Sequence, residues 1–366
     1  MMDHFNSIFG QTTAKKFLAN VINSKNIPHA FLFSGRDGIG KEFAAVQFAK
    51  LINQSSGDLE KVSSSILNLS EPYIKYVFPL PRGKNETDKD GAYDKLSNDV
   101  IDEIKELIKA KINNPYSSIK LSNANNIKIS SIRDIKKFIV LDYSDIPYRI
   151  ILIAHAHLMS TEAQNALLKQ LEEPPAGIIF ILCTSLPSQL SATIRSRCWE
   201  VNFSPLKEED ISEILITKFD VDKKLAKNVS IFSNGSITEA LDLIENNFNE
   251  MFNDTIQILR FSFAKKYNSA YNIIEKYSSI NNSNLKLILK LLIIWFNDLN
   301  KEKNDLTNIY FKEHLGTLEK FNSKFSSKNV VSIVEKLDEF SLLINRNINP
   351  TIITMNIVNE LAAFIR

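Results

Sequence analysis

Three of the ten glycines in this 366-residue chain, Gly35, Gly38 and Gly40, fall within six positions and are followed directly by Lys41. When such a loop joins a strand to a helix, its backbone N–H groups can surround a phosphate and the lysine can reach the outer phosphates. The spacing therefore predicts a phosphate-binding loop (P-loop). A plain glycine turn before a helix is the alternative.

Glu42 stands where the full pattern G-x-x-x-x-G-K-[ST] has a hydroxyl that holds Mg²⁺. A carboxylate is bulkier and negatively charged, and in this position it is expected to lie near phosphate oxygens. We therefore expect weak or absent binding of Mg²⁺ with ATP or ADP, and no cofactor that the chain requires.

A second departure from the residues of a P-loop ATPase follows the apolar run Arg149–Ile153, which we interpret as a buried strand. A P-loop ATPase needs an acidic residue at the end of such a strand, but here Ala154 and His155 follow. His155 and His157, at i and i+2 on an extended strand end, would point the same way and could be metal ligands. No third ligand is evident nearby in the sequence, so uncharged placeholders are the preferred interpretation, and no metal is expected.

The elements that position these residues alternate between strands and helices, which is typical of a parallel α/β sheet. Thr161 and Gln164 have the spacing of a capping box at the start of one helix. The predicted helices are 11–26, a run from the glycine loop to Leu51, 132–140 and 161–173, and the predicted strands are 30–33, 127–129, 148–153, 178–183 and 199–203.

Two composition changes divide the chain. Residues 54–126 are polar, and we interpret them as an insertion with one helix at 96–112, carried on the core and not part of its sheet. After Pro205 the strand patterns stop and helical patterns continue. We expect an α/β core at 1–205, a small helical domain at 206–247 and an all-α domain at 248–366.

Bulk composition excludes several classes of protein. With 44 basic against 42 acidic residues, the net charge of +2 argues against strong binding of nucleic acid by the chain alone. Two cysteines without a C-x-x-C pair argue against a disulfide framework and a cysteine zinc site. Residues 1–10 have no apolar signal-peptide core, and the apolar run 285–296 is too short for a membrane span. The cytoplasm is the expected location.

The helix ending L-E-E-P-P at 171–175 and the segment S-R-C at 196–198 form the most specific combination of motifs in the chain. With several other segments, they resemble bacterial clamp-loader AAA+ subunits. The resemblance covers residues 5–205 apart from the insertion, and beyond 205 it depends only on the helical pattern. The matching segments are Phe9-Gly10-Gln11, Pro28-His29-Ala30-Phe31-Leu32-Phe33, the run 127–133, the helix segments 162–169 and 171–175, and Ser196-Arg197-Cys198.

The resemblance implies an AAA+ P-loop domain, a helical lid and an all-α collar that joins subunits. Within the family, a degraded ATP site is typical of the delta-prime type of DNA polymerase III subunit, whereas the motor subunits have intact nucleotide motifs. Thr238, in the run 235–241, stands where the motor subunits have an arginine. Many members also have a four-cysteine zinc module, but the insertion contains no cysteine, so we expect no zinc.

The resemblance also gives Arg197, between Ser196 and Cys198, the role of an arginine finger. Such a residue reaches the γ-phosphate of ATP held by the adjacent subunit, and a permanently charged, planar guanidinium suits that task. A surface arginine that pairs with an acid is the alternative. Thr184 stands at the family's sensor position, where, without hydrolysis at its own loop, its role can be structural.

The sequence thus predicts a non-hydrolysing clamp-loader subunit within the DNA-directed DNA polymerase complex. The implied partners are gamma/tau and delta subunits, the sliding clamp indirectly, and primer–template DNA as part of the complex, with no membrane. One alternative is an active clamp-loader ATPase of the gamma/tau type. Another is a nucleotide-binding AAA+ module outside replication, which fold resemblance alone does not exclude.

Overall fold

The computed structural model describes residue 5 and residues 7–54, 59–87, 90–140, 146–279, 282–304, 309–325, 328–344 and 348–365. Small parts of the predicted insertion and of the C-terminal helical region lie outside these ranges. The chain divides into two compact units, Met1–Ser230 with Asn234–Glu239, and Ile231–Ser233 with Ala240–Arg366. The three-domain division at 205 and 247 stays a prediction.

Strands and helices alternate in the first two hundred residues, and helices follow. The strands are β1 (Ala30–Ser34), β2 (Ile74–Val77), β3 (Arg149–Ile153), β4 (Ile178–Thr184) and β5 (Trp199–Asn202). The helices are α1 (Thr12–Ser24), α2 (Lys41–Ile52), α3 (Leu59–Leu67), α4 (Asn98–Asn113), α5 (Ile129–Val140), α6 (Thr161–Glu172), α7 (Ala192–Arg195), α8 (Glu208–Phe219), α9 (Lys223–Phe232), α10 (Ile237–Glu245), α11 (Phe248–Phe263), α12 (Tyr267–Ser278), α13 (Asn282–Lys303), α14 (Leu315–Lys324), α15 (Val330–Ile344) and α16 (Pro350–Phe364).

The five strands form one parallel sheet in the order β2-β3-β4-β1-β5. The predicted fold class, a parallel α/β sheet followed by an all-helical region, is confirmed. The central strands β1, β3 and β4 are buried along their whole length. Because helices cover both faces of a parallel sheet, such strands are almost continuously apolar and not alternating.

Successive residues of each central strand enter two different cores. In β1, Phe31 and Phe33 pack on the side of α1 and α2, whereas Leu32 packs on the side of α5 and α6. This alternation follows from the two-residue period of a strand. The sheet is therefore the middle of three layers, and all parallel strands present their carboxyl ends along one edge.

The predicted insertion contributes a strand to this sheet, so its interpretation as material outside the sheet was wrong. Strand β2 lies within 54–126 and pairs in parallel with β3, with Ile74 opposite Ile150 and Val77 opposite Ile153. Ile74 is fully buried. The strand has only four residues and is surrounded by polar sequence, so the composition of the segment concealed it.

Two local predictions were also wrong. Residues 127–129 do not form a strand: Ile127 makes an isolated bridge to Met159, and α5 already begins at Ile129. A short apolar run does not distinguish strand from helix by its period alone. The N-cap of α6 is Ser160, whose hydroxyl accepts from the backbone N–H of Ala163 at 3.2 Å, so the capping interaction begins one residue before the predicted capping box.

The apolar run 285–296 lies in α13, where Leu285, Ile288, Leu292 and Trp295 are at most 1% exposed. It is a buried helix of the second unit, as predicted. Across the part of the chain that the structure describes, no helix is both long and apolar enough to cross a membrane.

We expect Ile74→Ala to lower the free energy of unfolding by about 2–5 kcal/mol, since it leaves a cavity beside β3. Urea unfolding followed by circular dichroism measures this. Val140→Ala is the control: Val140 is 82% exposed, and its truncation is expected to change stability by about 0.5 kcal/mol or less. Equal, small effects of the two substitutions would contradict the assignment of β2 to the core sheet.

Candidate functional site

The glycine loop connects β1 to α2 in the predicted order. Gly35, Gly38 and Gly40 have φ angles of 144°, 74° and 91°. A methyl group on Gly35 would lie 2.4 Å from the carbonyl oxygen of Phe203, and one on Gly38 would lie 2.2 Å from the hydroxyl of Ser236. Positive φ and the lack of space together require glycine at both positions.

Lys41 turns back into the loop. Its Nζ donates to the carbonyl oxygens of Gly35 and Arg36 and lies 3.7 Å from Oδ1 of Asp37. The side chain is 7% exposed, and burial lowers the pKa of the ammonium although Asp37 opposes this shift. The group that would reach outer phosphates is thus bonded to the loop itself.

Glu42 is held by a cation and a phenol, not directed at a phosphate. Its Oε2 lies 2.9 Å from Nζ of Lys111 and accepts from the hydroxyl of Tyr76 at 2.7 Å. Lys111 Nζ also donates to the carbonyl oxygen of Ser117 at 2.5 Å. Burial alone would raise the pKa of Glu42, but Lys111, His155 and Tyr76 together hold it below the usual value. The carboxylate is therefore ionised, and the Lys111 ammonium balances its charge.

These groups do not fit a Mg²⁺ ion held as in a P-loop ATPase. Mg²⁺ requires several oxygen ligands in near-ideal octahedral geometry. Oε2 of Glu42 is engaged by Lys111, whose charge repels a second cation, and the buried methyl of Ala154 offers no ligand at the end of β3. Nowhere in the described ranges do three or more His, Cys, Asp or Glu side chains come together as a metal site would require.

The histidines after β3 differ from the prediction. His155 has a φ of 49° and precedes a short 3₁₀ turn, so the two residues do not lie on an extended strand end. Their ring centroids are 5.9 Å apart. His155 Nδ1 lies 3.9 Å from Asp37 Oδ1, and His157 Nδ1 lies 3.1 Å from the hydroxyl oxygen of Thr184. Burial lowers the pKa of His157, which favours the neutral form.

Thr184 ends β4 beside the glycine loop. It is 1% exposed, and its carbonyl oxygen accepts from the N–H of Gly35 at 3.1 Å. Its hydroxyl oxygen accepts from the N–H of Leu186 at 3.1 Å and contacts His157. Thr184 therefore links the end of β4 by hydrogen bonds to the glycine loop and to His157, which follows β3.

A later segment of the same unit covers the loop. The N–H of Ile237 donates to the carbonyl oxygen of Gly38 at 2.9 Å, and Arg36 donates to that of Asn234 at 3.3 Å. The hydroxyl of Thr238, the residue at the motor-arginine position, donates to the carbonyl oxygen of Tyr116 at 2.8 Å. The loop is thus bonded directly to residues 234–238.

Arg197 follows the short helix α7, and its guanidinium is hydrogen-bonded to α7 and to α6. Its guanidinium donates to Oε1 of Glu172 at 2.8 Å and to the carbonyl oxygen of Thr193 at 3.0 Å. The Arg197 side chain is 32% exposed. The neighbouring Ser196 is exposed, whereas Cys198 is buried, and burial raises the pKa of its thiol to about 12. In this chain Arg197 has the acid partner that the surface alternative describes.

The helix α7 is fixed to α6 at two points. One is the Glu172–Arg197 pair. The other is Gln164, whose Oε1 accepts from the N–H of Ser191 at 2.9 Å, and the hydroxyl of Ser191 in turn caps α7. Arg197 is thereby held at a defined position on the surface of the first unit.

Sequence reasoning did not find Lys111, Tyr76 or Tyr116. Lys111 did carry a signal, because it extends the stripe of Ile104, Leu107 and Ile108 along one face of α4. A lysine in an apolar stripe requires a partner when it is buried. The sequence could not identify that partner as Glu42.

We expect Glu42→Gln to lower the free energy of unfolding by about 3–5 kcal/mol at pH 7, because it leaves the Lys111 ammonium buried without its counter-ion. Since the pKa of Glu42 is lower in the folded chain, the wild-type advantage is full above the ordinary carboxyl pKa of about 4.3 and shrinks as the pH falls below it. Urea unfolding between pH 3 and 7 measures both effects.

Glu172→Gln is the matched control. It makes the same chemical change in the Glu172–Arg197 pair, which is much more exposed, and is expected to cost about 0–1 kcal/mol. If the two variants lose the same stability, the Glu42–Lys111 pair does not have the role described.

Comparison with known proteins gives a consistent family. The family model described as DNA polymerase III, delta subunit, matches residues 10–207. The chain is 31% identical over 246 residues to DNA polymerase III subunit gamma of Buchnera aphidicola (Schizaphis graminum), covering 66% of this chain and 57% of that protein. It is 28% identical to DNA polymerase III subunit tau of Bacillus subtilis, covering 66% and 37%.

DNA polymerase III subunit delta' of Bacillus subtilis is 26% identical over 236 residues, covering 64% of this chain and 60% of that protein. The chain spans about half the length of the curated relatives that it matches. Among solved structures, a DNA polymerase III gamma-subunit-related protein of Thermotoga maritima is 15% identical, with a TM-score of 0.48, covering 95% of this chain and 99% of that one. On the match over residues 10–207, which is more than half of its length, the chain belongs to the DNA polymerase III delta-subunit family.

Proposed function

We propose that this chain is a clamp-loader subunit of DNA polymerase III that does not hydrolyse ATP at its own glycine loop, the delta-prime type of subunit. In this role it assembles with gamma/tau and delta subunits and acts on the sliding clamp and on primer–template DNA only as part of the complex. Family membership supports a place in the replication complex. The alternative of a nucleotide-binding module outside replication has no support from that match.

The observation that carries the proposal is the ion pair of Glu42 with Lys111. A hydrolytic P-loop site needs Mg²⁺ between the residue after the loop lysine and an acid on the neighbouring strand. Here the first position is a neutralised carboxylate and the second is Ala154. The loop therefore has neither the ligands that would hold Mg²⁺ for hydrolysis nor an acidic residue at the end of β3 to orient water.

Arg197 is the residue through which the chain acts on a neighbour in this proposal. It lies on the surface of the first unit, directly after α7, in the segment 191–197 that Gln164 and Glu172 of α6 hold in place. The pair with Glu172 is partly exposed, and such pairs contribute little net stability. A phosphate of a neighbouring subunit's ATP can therefore replace Glu172 as the partner of Arg197 at small cost.

An active ATPase of the gamma/tau type is the second candidate, and a specific observation favours it. The relatives named gamma and tau are 31% and 28% identical to this chain, whereas the relative named delta' is 26% identical. The comparisons thus favour the gamma/tau type, and the geometry of the site favours the delta-prime type. Turnover by the isolated chain distinguishes them.

We expect the purified chain to release no phosphate from ATP above background, with or without Mg²⁺, and Lys41→Ala to behave identically. Phosphate release at millimolar ATP measures this, and circular dichroism checks that the variant is folded. Mg²⁺-dependent turnover that Lys41→Ala abolishes would establish the gamma/tau candidate and refute the proposal.

We expect Arg197→Ala to slow hydrolysis at the neighbouring subunit's site by about 10³-fold or more in a reconstituted complex, by analogy with arginine fingers in GTPase systems. Assembly, followed by gel filtration, should be unchanged. Arg195→Ala is the control, because Arg195 is exposed and has the same charge two residues away. Equal rates for the two variants would refute the finger assignment.

A further inference from the structure

We propose that other parts of this chain occupy the place of a bound nucleotide and its metal ion at the glycine loop. The Lys111 ammonium takes the place of the metal ion. Residues 115–117 take the place of the nucleotide, as the link between the loop and residues 236–238. The loop and residues 236–238 are then held together without any nucleotide. This inference rests on the proposed function only in taking the loop to be non-hydrolytic.

The position of Lys111 supports the first half. Its Nζ is bonded to Glu42, the residue whose side chain would hold the metal in a P-loop ATPase. The same Glu42 oxygen accepts from the hydroxyl of Tyr76 on β2. The ammonium is thus bonded to the residue that would hold the metal ion, at the first turn of α2.

Tyr116 supports the second half. Its ring lies beside the loop, since a methyl group added to Gly40 would be 3.2 Å from its Cε1, and it packs on Phe43 with ring centroids 5.9 Å apart. The backbone carbonyl of Tyr116 accepts from the hydroxyl of Thr238. One residue of the insertion therefore contacts both parts that a bound nucleotide would join.

Two further groups of the loop, the Lys41 ammonium and the Gly38 carbonyl oxygen, are engaged as well. Lys41 donates to two loop carbonyl oxygens, and Ile237 donates to the carbonyl oxygen of Gly38. The link from Lys111 to the carbonyl oxygen of Ser117 keeps the segment that follows α4 next to the loop. For a nucleotide to bind, it must break these contacts and leave Glu42 or Lys111 without its counter-ion, so we expect it not to bind.

Amide hydrogen exchange on the full chain tests the inference. We expect the amides of Gly35, Ala44 and Ile237, which donate to the carbonyl oxygens of Thr184, Gly40 and Gly38, to be protected without nucleotide. They should exchange at least tenfold faster in Lys111→Met and in Tyr116→Ala. The amides of β4 serve as the internal reference for the global fold. Lys111→Met alone leaves Glu42 without its counter-ion and can unfold the chain. The double variant Glu42→Gln with Lys111→Met removes both charges at nearly constant volume, so it tests the loss of the link in a folded chain.

The matched control is Glu103→Gln with Lys109→Met, the same changes at two exposed positions of α4. It should leave exchange in the loop unchanged. Exchange of the Gly35, Ala44 and Ile237 amides that is equally slow in Tyr116→Ala, the double variant and the control would overturn the inference.

A second measurement uses a fluorescent N-methylanthraniloyl derivative of ADP, titrated into the wild-type chain with and without Mg²⁺. We expect no saturable binding up to about 1 mM. Saturable binding that also slows exchange in the loop would overturn the inference. Such binding without turnover would leave the proposed function standing, whereas failure of Arg197→Ala to affect the complex would count against the proposed function alone.

Discussion

The buried ion pair of Glu42 with Lys111 is the constraint on which the site depends. Placing two charges away from water costs several kcal/mol per ion, and the pair is tolerated only when further hydrogen bonds complete its geometry. The hydroxyl of Tyr76 and the carbonyl oxygen of Ser117 provide them. Through these four groups the first turn of α2, strand β2, helix α4 and the segment after it become one cooperative unit. The glycine loop therefore depends on a part of the chain far away in sequence.

The glycine loop and Arg197 are positioned by different parts of the fold, and the sheet accounts for the first of them. Parallel strands place the residues at the carboxyl ends of β1, β3 and β4 along a single edge, so the loop, Ala154 and Thr184 remain neighbours. Arg197 is positioned independently, through α6, Gln164 and Glu172. Changes at the loop need not disturb it. In the proposed function, one scaffold thus loses a site of its own while it keeps a charged group for use by another subunit.

Most of the fold could be predicted from the sequence because its signals are local. Long apolar runs gave β1, β3 and β4, and the glycine spacing gave the loop. Strand β2 could not be predicted in the same way, since its four residues lie in polar surroundings and their pairing with β3 is a tertiary event. Within the site, the loss of the hydroxyl at Glu42 and of the acid at Ala154 could be read directly. The partner of Glu42 could not, because Lys111 lies 69 residues away and only folding brings the two charges together.

The mutual dependence of Glu42 and Lys111 also has an evolutionary consequence. Restoring a serine or threonine at position 42 would leave Lys111 buried without a counter-ion, and replacing Lys111 first would do the same to Glu42. Each single step passes through a less stable protein, and the loop becomes competent to bind a metal only after further changes, including an acid at position 154. In the proposed function, loss of this site is therefore self-maintaining: once the pair had formed, selection for stability alone would oppose the return of a working nucleotide site.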